Sequence, residues 1–401
     1  MKFYLQQGSG MLQLNEEYAQ EEPDVGFILS PRALNKNTGI ERIKKHANEL
    51  KSKGAEVLFD PQFYEPRTNL SKILRFPYFN DDSEVYMTQD FLGASAKTFA
   101  EKAIMYQEHE LGVSSYIIPG IYTNSLSEDW LELFDNMLCG GNNSGDTDKL
   151  YFQTIALGKD AILSDHFDDF IGQCVLSAVD GYYIVLKKPS YIIDDPLYLY
   201  KVLDAIISIK LSGKKIIMGY GNQQDIMFTG AGIDGLATGN YQNVRSFDPD
   251  IFFEAEETIK KKSKWYFDEN TFSEYKLPQL DLAFRRRDLK DKFGPKNSYN
   301  EVLLNSDRPT SVAINWSEKL SFKNYFSILN NICVSQKDRT LSEKMNFIKE
   351  LFQDKKKNVE ELSSFGVRIE DKGFSNDAFE ATLGAIDSII SDRKFDLESF
   401  N

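Results

Sequence analysis

Eight short runs of β-branched and aromatic residues, each bounded by Gly, Pro, Asn or Asp, fall within the first 240 residues and limit the possible folds. They read KFYLQ (2–6), VGFIL (25–29), EVLFD (56–60), SSYIIP (114–119), YFQTIAL (151–157), GYYIVL (181–186), KKIIMG (214–219) and DGLATG (234–239). Most are apolar throughout rather than alternating, which is how strands covered on both faces read. Most gaps between them carry a helical pattern. In GIERIKKHANELKSKG, Ile40, Ile43, Ala47 and Leu50 share one face and Gly54 can close the end. Ser125, three residues before Glu128, reads as a capping box, and PLYLYKVLDAIISIKLSG is amphipathic up to Gly213. Residues 9–23 leave room for one turn or two of helix.

Eight strands alternating with helices predict an α/β fold, a (β/α)8 TIM barrel over 1–250, more than an open doubly wound sheet. No GxGxxG follows the first strand, which weakens a dinucleotide site. Residues 65–95 are too long for a plain connection and are expected to form a lid or subdomain. After residue 250 the strand rhythm is lost, and 251–401 reads as a mainly helical C-terminal region packed on the barrel. There Phe379, Leu383, Ile386 and Ile390 make one apolar stripe.

The chain has 401 residues with 41% hydrophobic, 13% aromatic and 27% charged positions, enough apolar content for a large core. Its formal net charge of −14 opposes non-specific adhesion to nucleic acid or anionic membrane. KKKSK (260–264) and RRR (285–287) are local basic candidates, with solvated helix faces the blander reading. Cys139, Cys174 and Cys333 make neither a disulfide framework nor a zinc knuckle. The start turns polar after five residues and no run is long enough to span a bilayer, so a cytoplasmic protein without membrane contact is expected. His166 among Asp165, Asp168 and Asp169 invites a metal, but an outer helix face is the simpler reading; His46 and His109 read as solvent-facing. No metal and no cofactor is expected.

In parallel barrels the loops after the strands build the active face. Those positions hold Gln6 and Gln7, Ser30 and Arg32, then Asp60, Gln62, Tyr64 and Arg67, then Tyr122 and Asn124, Lys159 and Asp160, Lys187 and Lys188, Tyr220 and Asn222, and finally Asn240, Asn243 and Arg245. Their amides and cations favour an anionic or amide-bearing ligand. In KKIIMGYGNQQDIMFTGAGIDGLATGNYQNVR, Gly219, Gly221, Gly239 and Asn240 lie where backbone N–H groups could close on a phosphate. The same glycines could serve only tight turns.

FILSPRAL after an early first strand, LFDPQFY, FQTIALG, and KIIMGYG followed by IDGLATGNYQNVR together resemble the tRNA-guanine transglycosylase superfamily, notably its shorter members that insert deazaguanine bases into DNA. The resemblance covers roughly residues 1–250. It implies base exchange at a glycosidic bond, with Asp60 as general acid/base, Asp234 as nucleophile, Gln153 on the base and Arg245 on phosphate or behind the nucleophile. Its implied partner is a nucleic acid or nucleotide. The family's Cys-rich zinc site is absent from this sequence, and Asp234 can also be read as a structural residue at the start of its strand. Two other readings stay open. One is a phosphate-binding barrel acting on a nucleotide or sugar phosphate. The other is a barrel without chemistry whose C-terminal helices dock a protein partner.

Overall fold

The computed structural model describes residues 1–33, 39–79, 91–142, 144–254, 264–368 and 373–399. Two compact units are present. One comprises Met1–Pro189, Asp204–Asn222 and Gly232–Glu256; the other comprises Ser190–Leu203, Gln223–Ala231 and Glu257–Asn401.

In the first unit all eight apolar runs form strands: β1 (Lys2–Gln6), β2 (Gly26–Leu29), β3 (Val57–Phe59), β4 (Tyr116–Ile118), β5 (Tyr151–Leu157), β6 (Gly181–Leu186), β7 (Lys215–Met218) and β8 (Gly235–Thr238). They pair in the order β3-β2-β1-β8-β7-β6-β5-β4, every neighbour parallel, as a nearly closed (β/α)8 TIM-type barrel. The open seam lies between β3 and β4, where the backbone bond from Ser114 N to the Val57 carbonyl (2.9 Å) joins the strand entrances. The connection across that seam contains the 65–95 insertion.

Burial on both faces explains the continuous apolar runs; β1 to β6 are almost wholly buried. Two entrance glycines have a steric cause. A Cβ on Gly26 would meet the Tyr4 ring at 2.4 Å, and one on Gly235 would meet the same ring at 2.7 Å. Tyr4 in turn donates to Glu56 at 2.8 Å.

Between the strands run α1 (Leu12–Glu21), α2 (Glu41–Ser52), α3 (Ala94–Tyr106), α4 (Glu128–Gly141), α5 (Phe167–Leu176) and α6 (Pro196–Leu211). Helix α1 is ten residues long, more than the sequence suggested, because Asn15 is buried beside Leu14 and Tyr18 and extends the inward face. Helix α2 ends as expected, with Gly54 at φ +81°. The cap of α4 is Ser127, whose hydroxyl accepts from Trp130 N at 3.3 Å, two residues beyond the expected Ser125.

Of the 65–95 insertion, residues 80–90 lie outside the described residues. Its described flank packs Phe76 and Tyr78 on Phe59, and Phe79 and Phe91 on Phe63. Those rings extend the packing layer around β3. Most of KKKSK (260–263) also lies outside the described residues.

The second unit is mainly helical, with α7 (Leu277–Phe284), α8 (Glu318–Ser335), α9 (Leu341–Ser364) and α10 (Asn376–Asp392) the longer helices. It also holds an antiparallel hairpin, β9 (Trp265–Asp268) with β10 (Ser273–Lys276), that the sequence reading missed. Tyr266, Tyr275, Leu280, Phe284, Trp316 and Leu362 form a core around it. The stripe on α10 is buried at Phe379, Leu383 and Ile386, while Ile390 is half-buried and Ile389 takes the inward place. Among the described residues no helix is long and apolar enough to cross a membrane.

Candidate functional site

Asp60 follows β3 at the strand-exit end of the barrel and is 1% exposed. Its Oδ1 accepts from Gln62 N at 2.9 Å. Its Oδ2 accepts from the hydroxyls of Tyr64 (3.0 Å) and Tyr220 (3.1 Å), with that of Tyr183 at 3.5 Å. Burial pushes the carboxyl up to about 6 against the pull of these donors. The same burial and the neighbouring carboxylate raise all three phenols well above the ordinary tyrosine range.

The cluster is built by strand geometry. Asp60 follows β3, Tyr183 lies inside β6, and Tyr220 sits two residues past β7. Tyr183 also donates to Gln6 Oε1 on β1 at 2.9 Å. Gln62 Nε2 donates to the Tyr220 hydroxyl at 2.7 Å, and Gln62 Oε1 accepts from Arg32 N at 2.9 Å. Gln62 and Tyr220 have φ of +55° and +54°, a left-handed backbone that side chains disfavour by roughly 1 kcal/mol or more. Both strained residues touch Asp60. The fully buried Gln6 has an Nε2 without a hydrogen-bond partner. That orphan donor stands in the same network.

An aromatic layer covers the cluster. Phe247 lies 4.8 Å from Tyr64 and 5.5 Å from Tyr220, centroid to centroid, and Phe252 lies 5.3 Å from Tyr64. Three bonds tie down the 247–254 segment: Arg32 Nε to the Ile251 carbonyl (3.0 Å), Thr68 to the Phe252 carbonyl (2.5 Å), and Glu254 N to Asn69 Oδ1 (2.8 Å). Arg32 has no carboxylate partner among the described residues, and burial lowers its pKa. Outside the layer, Tyr122 feels the charges of Glu65, Asp160, Asp248 and Asp250. Lys187 reaches Asp248 at 3.4 Å, and the exposed Arg67 faces Glu65.

The structure corrects several residue assignments. Asp234 precedes β8 at the strand-entrance end, where it pairs with Lys210 (2.6 Å) and accepts from Ile216 N (2.8 Å). It and Asp60 stand at opposite ends of parallel strands, so they do not form one two-acid centre. Gln153 points out of the barrel: its Nε2 faces the Phe134 carbonyl of α4 at 3.5 Å.

The glycines do not form a phosphate cradle. Gly219 N and Gly221 N donate to the carbonyls of Ile184 (2.8 Å) and Ala237 (2.7 Å). A Cβ on Gly219 would meet the Tyr183 hydroxyl at 2.5 Å, and one on Gly239 would meet Val244 at 2.3 Å. These positions are glycine because side chains of this protein fill the space. Asn240 Nδ2 donates to the Ser9 carbonyl (3.3 Å), and Arg245 Nε donates to the Gly239 carbonyl (2.7 Å) while being 4% exposed. Asn222 is fully buried in the turn after β7.

His46 is fully buried, against the solvent-facing expectation, because it falls at i+3 from Ile43 and i−4 from Leu50 on the inward stripe of α2. Burial lowers its imidazole to about 4. His109 and His166 are exposed, as expected. Tyr183 and Phe247 belong to the site but were not singled out from sequence; Gln6, read as a polar strand end, is the last residue of β1. Tyr183 sits in a run with no alternation to mark its direction.

No protein-family model matches this sequence, and no curated protein matches it either.

Proposed function

We propose that the barrel acts through Asp60 on a planar, hydrogen-bonding heterocycle of the nucleobase type, exchanging the base at a glycosidic bond with one carboxyl group instead of two. The observation that carries this reading is the buried Asp60 carboxyl, raised to about pKa 6 by burial against the pull of three phenol donors and flanked by two residues in strained backbone. A carboxyl group titrating there can donate a proton and recover it near neutral pH.

With Asp234 at the other end, a covalent sugar–enzyme intermediate on that residue has no support. A stepwise exchange through an oxocarbenium-like carbon needs only Asp60. Its proton passes to the leaving base as the C1′–N bond breaks. Once that base has left, the entering base takes its place on the same face, forms the new C1′–N bond with the configuration at C1′ retained, and returns its N–H proton to the carboxylate. Gln62 and Gln6 offer amides to the base edge, and Tyr64, Tyr220 and Phe247 offer ring faces. Arg32, lacking a carboxylate partner among the described residues, is suited to a carbonyl or phosphate oxygen of the ligand. The four acids about Tyr122 favour a nucleoside or short nucleotide over a long polyanion.

The covered mouth requires the 247–252 segment to swing aside for entry. The test is incorporation of labelled guanine or a deazaguanine into nucleoside, tRNA and DNA, by wild type, Asp60→Asn and Asp234→Asn. Exchange that falls by about 100-fold or more in Asp60→Asn and persists in Asp234→Asn is expected. Absence of exchange on every substrate, or exchange indifferent to Asp60, rejects it.

A further inference from the structure

A second cluster lies away from Asp60, between α1 and α2. Among the described residues, Glu16, His46 and Glu49 form the one group of His, Cys, Asp and Glu that brings three ligand atoms within 4.8 Å of one another. Glu16 comes from α1. His46 and Glu49 are three apart on α2, so both project from one helix face. His46 Nδ1 stands 3.2 Å from Glu16 Oε1 and 3.8 Å from Glu49 Oε2. Lys45 approaches the other oxygen of Glu49, Oε1, at 3.8 Å.

An orphaned carboxylate oxygen points to a missing ligand. Glu49 Oε2 is buried with no hydrogen-bond partner, although its side chain as a whole is 32% exposed. Asn15, itself fully buried, places Nδ2 3.5 Å from His46 Nε2 and leaves Oδ1 without a partner. The two ends of an amide are alike in shape, so their assignment follows from the hydrogen bonds they make. As placed, Nδ2 faces Nε2, and Nδ1 can donate to Glu16 Oε1 at 3.2 Å. With Oδ1 turned toward His46, it accepts from Nε2–H, and Nδ2 becomes the unpartnered atom in its stead. The imidazole then presents a bare Nδ1 lone pair to Glu16 and Glu49. A lone pair and two carboxylates aimed at one point repel one another unless a proton or a metal cation lies between them. An amide oxygen fixing the distal N–H of a ligating histidine is a common outer partner in metal sites.

We propose that Glu16, His46 and Glu49 bind a divalent transition-metal ion of the zinc type, oriented by Asn15, which clips α1 to α2. The donor set of one imidazole and two carboxylates suits such an ion. Bonds of about 2.0–2.2 Å in tetrahedral array put ligand atoms roughly 3.3–3.6 Å apart, between the two His46 distances found here. A partly exposed edge, with Glu16 29% and Glu49 32% exposed, leaves a way in for the ion and a place for water.

The experiment strips the full-length protein with a chelator and titrates it with Co²⁺ and then Zn²⁺. Expected are one equivalent of Co²⁺ with visible d–d bands, displacement of those bands by Zn²⁺, and a Zn²⁺-dependent rise in the thermal midpoint. Glu49→Gln and Glu16→Gln should each weaken binding by at least about tenfold and abolish the midpoint shift. His109→Ala, at an exposed histidine, should change neither readout. Far-UV circular dichroism of the Gln variants distinguishes lost ligands from lost fold. If His46→Ala fails to fold, the near-isosteric Gln variants still decide. Wild type that binds no Co²⁺, or binding and midpoint shift that survive in the Glu16→Gln/Glu49→Gln double variant, overturns the proposal.

Discussion

The Tyr220 hydroxyl donates to Asp60 at 3.1 Å while accepting from Gln62 Nε2 at 2.7 Å, and Tyr220 makes both bonds from a backbone at φ +54°. The strained turn after β7 thus delivers a phenol to the exit of β3. Tyr220→Phe keeps the ring and removes both bonds. Asp60 should then titrate above its present value of about 6, since this donor lowers it. The orphaned Gln62 amide should cost about 1–3 kcal/mol. Urea unfolding and infrared titration of the carboxyl band check the two effects.

The pH dependence of stability has a definite sign at Asp60. Its folded pKa, about 6, lies above the ordinary 3.8, so the folded state holds the proton more tightly. The resulting stabilisation is fully present below about pH 4 and is lost as pH rises through about 6. The shift corresponds to roughly 2–3 kcal/mol. Asp268 in the second unit is raised to about 6 as well and contributes with the same sign. Asp60→Asn should therefore lose part of wild type's gain in stability between pH 7.5 and pH 5, leaving the Asp268 part. Denaturation curves of both proteins at the two pH values measure the difference, and identical pH responses would show that Asp60 does not titrate in this window.

Asp234→Asn should act as a structural change only. It removes an ion pair with Lys210 that is partly open to water, with Asp234 35% exposed, while the amide oxygen can still accept from Ile216 N. A loss of about 1 kcal/mol is expected, with base exchange unaltered. Chemical unfolding alongside the incorporation assay tests both halves.

Phe247→Ala removes the ring that touches Tyr64, Tyr220 and Tyr122. Truncation of a buried Phe costs about 3–5 kcal/mol, and here it also opens the mouth over Asp60. Acrylamide quenching should become more effective for tyrosine emission in the variant than in a Tyr64→Phe/Tyr220→Phe background. A protein equally quenched in both would have its mouth covered by something other than Phe247.

Much of the barrel was legible because parallel strands buried on both faces must be apolar end to end, and eight such runs stood out. That same property concealed directions within the strands. YFQTIAL has no alternation, so nothing in it tells whether Gln153 faces the barrel axis or, as it does, α4. Asp234 was ambiguous for a related reason. A strand of four residues, Gly235–Thr238, gives no margin for deciding which neighbour stands at its entrance. Asp60 was clear because Val57, Leu58 and Phe59 end against it. His46 carried a signal in its spacing from Ile43 and Leu50, but its charged neighbours outweighed it. The β9–β10 hairpin was hidden because WYFD and SEYK are short and mix aromatic with charged residues.

Between β3 and β4 the sheet has no ladder, only backbone bonds at its two ends (Ser114 N to the Val57 carbonyl and Tyr122 N to the Tyr64 carbonyl, both 2.9 Å), and an unladdered margin is where a stray strand from another molecule can add. Both marginal strands are only three residues long, the shortest of the eight. Each therefore presents too few open amides and carbonyls to template an intruder, which guards the protein against edge-to-edge aggregation without a fully zipped ring.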